Sequence, residues 1–154
     1  MGHRARPDGH HRRRLTRTGD SLKPAFSPNG NRIAFERFFQ GGADVWVMRA
    51  DGSHKRRLTD NNHSNDPTYS PSGHKIVFTV RGNIALMRAD GTQRRRLTRT
   101  HDDSHPAFSP NGKRICFERG DPSQIWVMRA DGTHQHRVTN GPADSGQPDW
   151  GVRR

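Results

Sequence analysis

The chain has a single cysteine, Cys116, so no internal disulfide can form and no oxidising compartment is implied. The thiol lies in Arg114-Ile115-Cys116-Phe117, where an earlier segment, Arg32-Ile33-Ala34-Phe35, carries Ala34. A small buried residue is expected there rather than a nucleophile. No apolar run reaches the roughly 18 residues of a membrane-spanning helix. The opening Met1-Gly2-His3-Arg4-Ala5-Arg6 has no apolar core of the signal-peptide kind, and as written the sequence reads as cytoplasmic. Three catalytic signatures are also missing: the G-x-S-x-G nucleophile elbow, the P-loop and G-x-G-x-x-G.

Hydrophobic residues make up only 28% of the chain, which raises disorder as the first alternative. They are not scattered, however. They fall in short clusters such as Ile33-Ala34-Phe35 and Val45-Trp46-Val47-Met48, the mark of many short strands. Acidic residues are outnumbered 15 to 27, giving a net charge of +12. Such a charge draws a protein towards nucleic acid, anionic lipid or acidic partners. Lysine is scarce beside arginine, so codon bias in a GC-rich genome accounts for the same excess without a function.

What is present is a repeat. Pro24-Ala25-Phe26-Ser27-Pro28-Asn29-Gly30 returns as Pro67-Thr68-Tyr69-Ser70-Pro71-Ser72-Gly73 and as Pro106-Ala107-Phe108-Ser109-Pro110-Asn111-Gly112. A fourth copy starts at Pro148-Asp149-Trp150. In register with it run Arg49-Ala50-Asp51-Gly52, Arg88-Ala89-Asp90-Gly91 and Arg129-Ala130-Asp131-Gly132, with a worn copy at Arg6-Pro7-Asp8-Gly9. Each is followed by a basic stretch ending in Leu15-Thr16, Leu58-Thr59, Leu97-Thr98 or Val138-Thr139. The unit reads as strand A to the Ser-Pro pair, a turn, strand B (Asn31 to Arg37), strand C (Asp44 to Arg49), an Asp-Gly hairpin and strand D (His54 to Thr59). Four antiparallel strands in a repeat of about 40 residues make a propeller blade.

The pattern P-x-[FYW]-S-P-x-G-x-x-I-x-F, then W-V-M-x-A-D-G, then R-L-T, resembles the TolB-type propeller repeat over about residues 5–150. The resemblance implies a binding fold whose face and channel take partner peptides. It also implies a periplasmic or secreted protein if the chain is part of a longer one. In the second repeat Ala85 stands where Trp46 and Trp126 stand, which predicts a looser blade.

The expected fold is all-β, a partial propeller of three full four-stranded blades. Residues 1–9 form a tail with the worn turn. Residues 10–22 hold a lone outer strand D and its loop. The blades occupy 23–59, 66–98 and 105–139. Residues 147–151 are the strand A of a fourth blade, and 152–154 a tail. Three blades do not close a ring, so the chain is expected either to be part of a larger propeller or to assemble with itself.

Candidate chemistry is sparse. The serines of the Ser-Pro turns and the aspartates of the Asp-Gly turns are explained by turn formation. There are 10 histidines, and His101 and His105 lie four apart, but no converging ligand set appears; neither a metal nor a cofactor is expected. The position before each leading proline is more informative. It is Lys23, Asp66, His105 and then Gln147, all polar and all different, at the innermost strand. With Asp20, Asn65, Asp102, Asp103 and Asp144 in the D–A loops, these residues are the candidate binding rim. Strand D carries a basic belt of Arg12, Arg13, Arg14, Arg56, Arg57, Arg94, Arg95 and Arg96, which also guards outer edges against aggregation. The leading expectation is a non-enzymatic scaffold for a protein or peptide. The alternatives are a basic surface for nucleic acid or anionic lipid, and a gating propeller for an enzyme whose catalytic part lies elsewhere.

Overall fold

The computed structural model describes residues 12–17, 19–142 and 145–150. Twelve strands form three antiparallel sheets. The first sheet runs β1 (Ser21–Phe26), β2 (Arg32–Phe39), β3 (Gly42–Arg49) and β4 (Arg56–Arg57). The second runs β5 (Ser64–Tyr69), β6 (Lys75–Val80), β7 (Asn83–Arg88) and β8 (Arg95–Arg96). The third runs β9 (Asp103–Phe108), β10 (Arg114–Arg119), β11 (Gln124–Arg129) and β12 (His136–Arg137). In each sheet the strands lie in chain order, and β1, β5 and β9 neighbour one another at the inner edge.

Middle strands are buried on both faces because each blade is sandwiched by the next, so Ile76, Val77 and Phe78 are all buried in succession. One core joins the first two blades through Val45, Val47, Leu58, Tyr69, Ile76 and Phe78. A second joins the last two through Val77, Leu86, Phe108, Ile115, Phe117 and Met128. The second blade is the best covered of the three, with Ala85 buried, and the expected looseness is not found. Its neighbour Val80 explains this: where the other blades stack Arg37 on Trp46 at 5.0 Å and Arg119 on Trp126 at 4.5 Å, this one packs a small pair.

Turn chemistry follows the sequence. The hydroxyls of Ser27, Ser70 and Ser109 accept the backbone N–H of Arg32, Lys75 and Arg114 at 3.0, 3.1 and 3.0 Å. Gly52, Gly91 and Gly132 take φ of 86°, 89° and 93° in their hairpins. Strand D is shorter than its motif, only two residues per blade. The threonine after it continues the edge with its side chain: Thr59, Thr98 and Thr139 hydroxyls accept the N–H of Val45, Ile84 and Ile125.

Two expected strands are absent. Residues 12–17 and 147–150 sit where a strand D and a strand A would, but neither is a strand. The reason is the ladder: β4 exists by pairing with β3, and β1 by pairing with β2, whereas no strand pairs with these segments among the described residues. His10, His11 and the Asp8-Gly9 turn lie outside the described residues.

Both end faces expose apolar residues that are covered elsewhere in the array. Phe26 is 62% exposed, against 7% for Tyr69 and 9% for Phe108 at the same repeat position. Val138 is 54% exposed, against 3% for Leu58.

Candidate functional site at the inner edge

Each innermost strand is broken at the same place. The pairing register slips between Leu22 and Ala25, between Asn65 and Thr68, and in β9 opposite Cys116 and Glu118. Such a bulge re-aims a side chain. The residue before each proline takes a left-handed backbone there: φ is 49° at Lys23, 51° at Asp66, 49° at His105 and 50° at Gln147. None is glycine, so each carries strain that the surrounding structure must hold.

The four side chains are brought together. With Pro24, Pro67, Pro106 and Pro148 they line one hollow of about 230 Å³. Lys23 Nζ stands 3.1 Å from His105 Nε2 and 3.6 Å from Asp66 Oδ1. His105 Nε2 is 3.5 Å from the same Asp66 oxygen, and its Nδ1 is 3.3 Å from Glu118 Oε2 and 3.2 Å from Ser104 Oγ. In the tautomer protonated at Nδ1, the imidazole accepts from Lys23 and donates towards Glu118.

Two buried carboxylates behind the hollow hold the strained backbone. Glu36 Oε2 accepts the N–H of Asp66 at 3.2 Å, and Glu118 Oε1 accepts the N–H of Gln147. In each case strand B of one blade anchors the next inner-edge segment, β5 at Asp66 and the non-strand segment at Gln147. Thr79 has the corresponding place in the second blade and gives its hydroxyl to Asp66 Oδ2 at 3.2 Å. Burial pushes the Glu36 carboxyl above its usual range, more than the Asp66 N–H draws it down. Sequence reasoning missed Glu36 and Glu118. A signal was available: a polar residue recurs at one position of an otherwise apolar strand.

The rest of the expected rim divides. Asp20 faces Arg37 at 3.8 Å, and Asp102 is exposed, its backbone carbonyl accepting from Gly120. Asp103 is not at the rim. It is buried in a bidentate pair with Arg119, at 2.5 and 3.0 Å, and Arg119 in turn stacks on Trp126 and Phe117. Asp144 lies outside the described residues.

Much of the basic belt is engaged within the protein. Arg13, Arg56 and Arg95 each donate across a blade boundary to a backbone carbonyl: Asp51 at 2.9 Å, Asp90 at 3.1 Å and Asp131 at 3.2 Å. Beside them Leu15, Leu58 and Leu97 fill the space where Gly52, Gly91 and Gly132 lack a side chain. Arg57 pairs with buried Asp44, and Arg94 reaches Leu58 O and Asp60. Arg12, Arg14 and Arg96 have no side-chain partner among the described residues.

Among the described residues, no three His, Cys, Asp or Glu side chains converge to hold a metal. His101 turns to Asn83 and the Arg81 carbonyl, away from His105. Burial pushes the Cys116 thiol up to about 11, which leaves it a thiol rather than a thiolate at neutral pH. No described helix is long and apolar enough to cross a membrane.

A family profile for the TolB β-propeller domain matches residues 6–154. No curated protein matches the chain. Several solved structures share its fold. A TolB-type protein from Agrobacterium tumefaciens is 24% identical with a TM-score of 0.74, over 80% of this chain and 50% of the other. TolB from Acinetobacter baumannii is 21% identical with a TM-score of 0.73, over 84% of this chain and 35% of the other. An oligogalacturonate lyase from Vibrio parahaemolyticus is 9% identical with a TM-score of 0.63, over 80% of this chain and 42% of the other. The chain thus spans half or less of the length of each of these proteins.

Proposed function

The chain belongs to the TolB β-propeller domain family, and from that premise we propose that it is a non-catalytic scaffold that docks a segment of a partner protein at its inner edge. One observation carries this reading. Four different polar residues occupy one repeat position, each with a left-handed backbone, and they meet in a single hollow. Packing does not require that variety, since the flanking prolines and aromatics repeat faithfully. A peptide crossing the hollow would meet a cation at Lys23, an anion at Asp66, and amide or imidazole groups at Gln147 and His105, enough to select a polar sequence. The exposed faces around Phe26 and Val138 take further blades, from a second copy or from more of the same repeat.

The hydroxyl beside the imidazole, Ser104 Oγ at 3.2 Å from His105 Nδ1, is directed to Glu118 Oε2 at 3.5 Å, and in this reading the cluster serves binding. The lyase relative shares the fold at 9% identity, which carries no chemistry to these residues. The reading as a surface for nucleic acid or anionic lipid has less to rest on, because five of the eight belt arginines named above are engaged within the protein.

A random peptide library panned against the protein tests the docking reading. Enriched peptides should lose binding to the Lys23→Ala and Asp66→Ala variants and keep it with Arg96→Ala. Enrichment indifferent to Lys23 and Asp66 would move the docking point elsewhere.

A further inference from the structure

A second hollow lies at the opposite ends of the strands, between the first two blades. It has a volume of about 450 Å³, within the range of small-ligand sites. Its walls come from the Ser-Pro turn of the first blade, the Ser72-Gly73-His74 turn of the second, and the turn after β7 at Ala89 and Asp90. Three side chains give it a chemical character: Tyr69, Arg32 and Arg56.

Tyr69 is the odd residue. Its counterparts in the sister blades are Phe26 and Phe108, and Phe108 is buried as Tyr69 is. Packing is therefore met by a phenyl ring, and the hydroxyl is an addition. That hydroxyl is buried with no hydrogen-bond partner among the described residues. An orphaned buried hydroxyl costs about 1–3 kcal/mol, so a partner is wanted. Burial also raises the phenol above its usual range, and Arg32 is the charged neighbour acting against that rise.

The two arginines are only partly used. The Arg32 guanidinium has no partner among the described residues. Arg56 spends one amino group on the Asp90 carbonyl at 3.1 Å, leaving its other N–H donors over. The one carboxylate in the lining, Asp90, is turned back into its own hairpin, accepting from the Thr92 N–H at 2.9 Å and the Thr92 hydroxyl at 2.6 Å. It does not neutralise the arginines by direct pairing. The phenol and the two guanidinium groups thus line one hollow as donors, with Arg32 near enough to act on the phenol.

We propose that this inter-blade hollow binds a small oxyanion, a phosphate or a carboxylate, free or carried on a larger ligand, through the Tyr69 hydroxyl with Arg32 and Arg56. Guanidinium groups match the geometry of both anions, and the phenol supplies a short neutral donor. The groove between the second and third blades is a built-in comparison. There Lys75 replaces Arg32 and Phe108 replaces Tyr69, so the phenolic hydroxyl is missing.

Titration with inorganic phosphate and, separately, with acetate tests this at constant ionic strength, followed by NMR of the Tyr69 ring and of the arginine Nε–H signals. At least one anion should give saturable shifts at Tyr69, Arg32 and Arg56 and none at Phe108 and Arg95. Which of the two saturates identifies the source chemistry. Tyr69→Phe, which installs the residue of the sister blades, should weaken binding about tenfold or more. Arg32→Ala, at an exposed position, should do the same and serves as the second variant. The proposal is overturned if neither anion saturates, if Tyr69→Phe binds as the unaltered protein does, or if Phe108 and Arg95 shift equally.

Discussion

Arg56 crosses from one blade to the next and gives a hydrogen bond to the backbone carbonyl of Asp90 at 3.1 Å. Arg13 with Asp51 and Arg95 with Asp131 repeat the contact. Part of a belt that reads in sequence as solvent-facing charge is therefore a set of joints between blades. Replacing Arg95 with Ala should cost about 1 kcal/mol in urea unfolding. Arg96→Ala, at an exposed position without such a joint, should stay within about 0.5 kcal/mol. Equal effects would remove the distinction.

Asp103 and Asp102 are adjacent acids with opposite expectations. Asp103→Asn leaves Arg119 without its buried partner and should cost about 3 kcal/mol. Asp102→Asn should leave stability unchanged, since the exposed side chain is dispensable and only its backbone carbonyl is used. Thermal unfolding of the two variants side by side reads this directly.

Glu36 predicts a pH dependence. Its carboxyl is raised in the folded state, chiefly by burial, so the folded protein holds that proton more tightly than the unfolded chain does. This contribution to stability is full below the ordinary value of 4.5 and is lost as pH rises through the folded value. Glu36→Gln keeps an oxygen for the Asp66 N–H and removes the charge. It should stabilise the protein at pH 7, with the gain fading as pH falls towards 4.5. A gain that persists at low pH would point to packing instead.

Phe26 and Phe108 share a repeat position but not an environment. Phe108→Ala opens a cavity between blades and should cost about 3–5 kcal/mol. Phe26→Ala should cost under about 1 kcal/mol. Phe26→Asp should also lower any self-association seen by sedimentation, because it charges the exposed face. Unchanged association in that variant would exclude this face from it.

The blades were legible because each repeats three signals with known backbone chemistry: the Ser-Pro turn, the Asp-Gly hairpin and the short apolar runs. The inner-edge residues were legible because Lys23, Asp66, His105 and Gln147 break an otherwise regular pattern. Their convergence needed coordinates, since the bulge that aims them is a backbone event without a residue of its own. The joints of Arg13, Arg56 and Arg95 could not be read, because their acceptors are carbonyls that every residue has. Asp103 misled for a related reason. It sits beside loop acids in sequence, but it begins a strand, and the pleat turns it inward to Arg119.

The joints between blades all point the same way along the chain. Each time an arginine and a leucine of the earlier blade meet an Asp-Gly turn of the later one. The array therefore has a polarity, with two unlike ends, as a filament has. Two copies cannot meet start to start or finish to finish through this contact. At the finish, His136 and Val138 hold the places of the earlier arginines and leucines, whereas the Asp51-Gly52 turn at the start is already met by Arg13 and Leu15. A further blade added through this contact would have to keep that direction, and a pairing of two starts or two finishes would need a different contact.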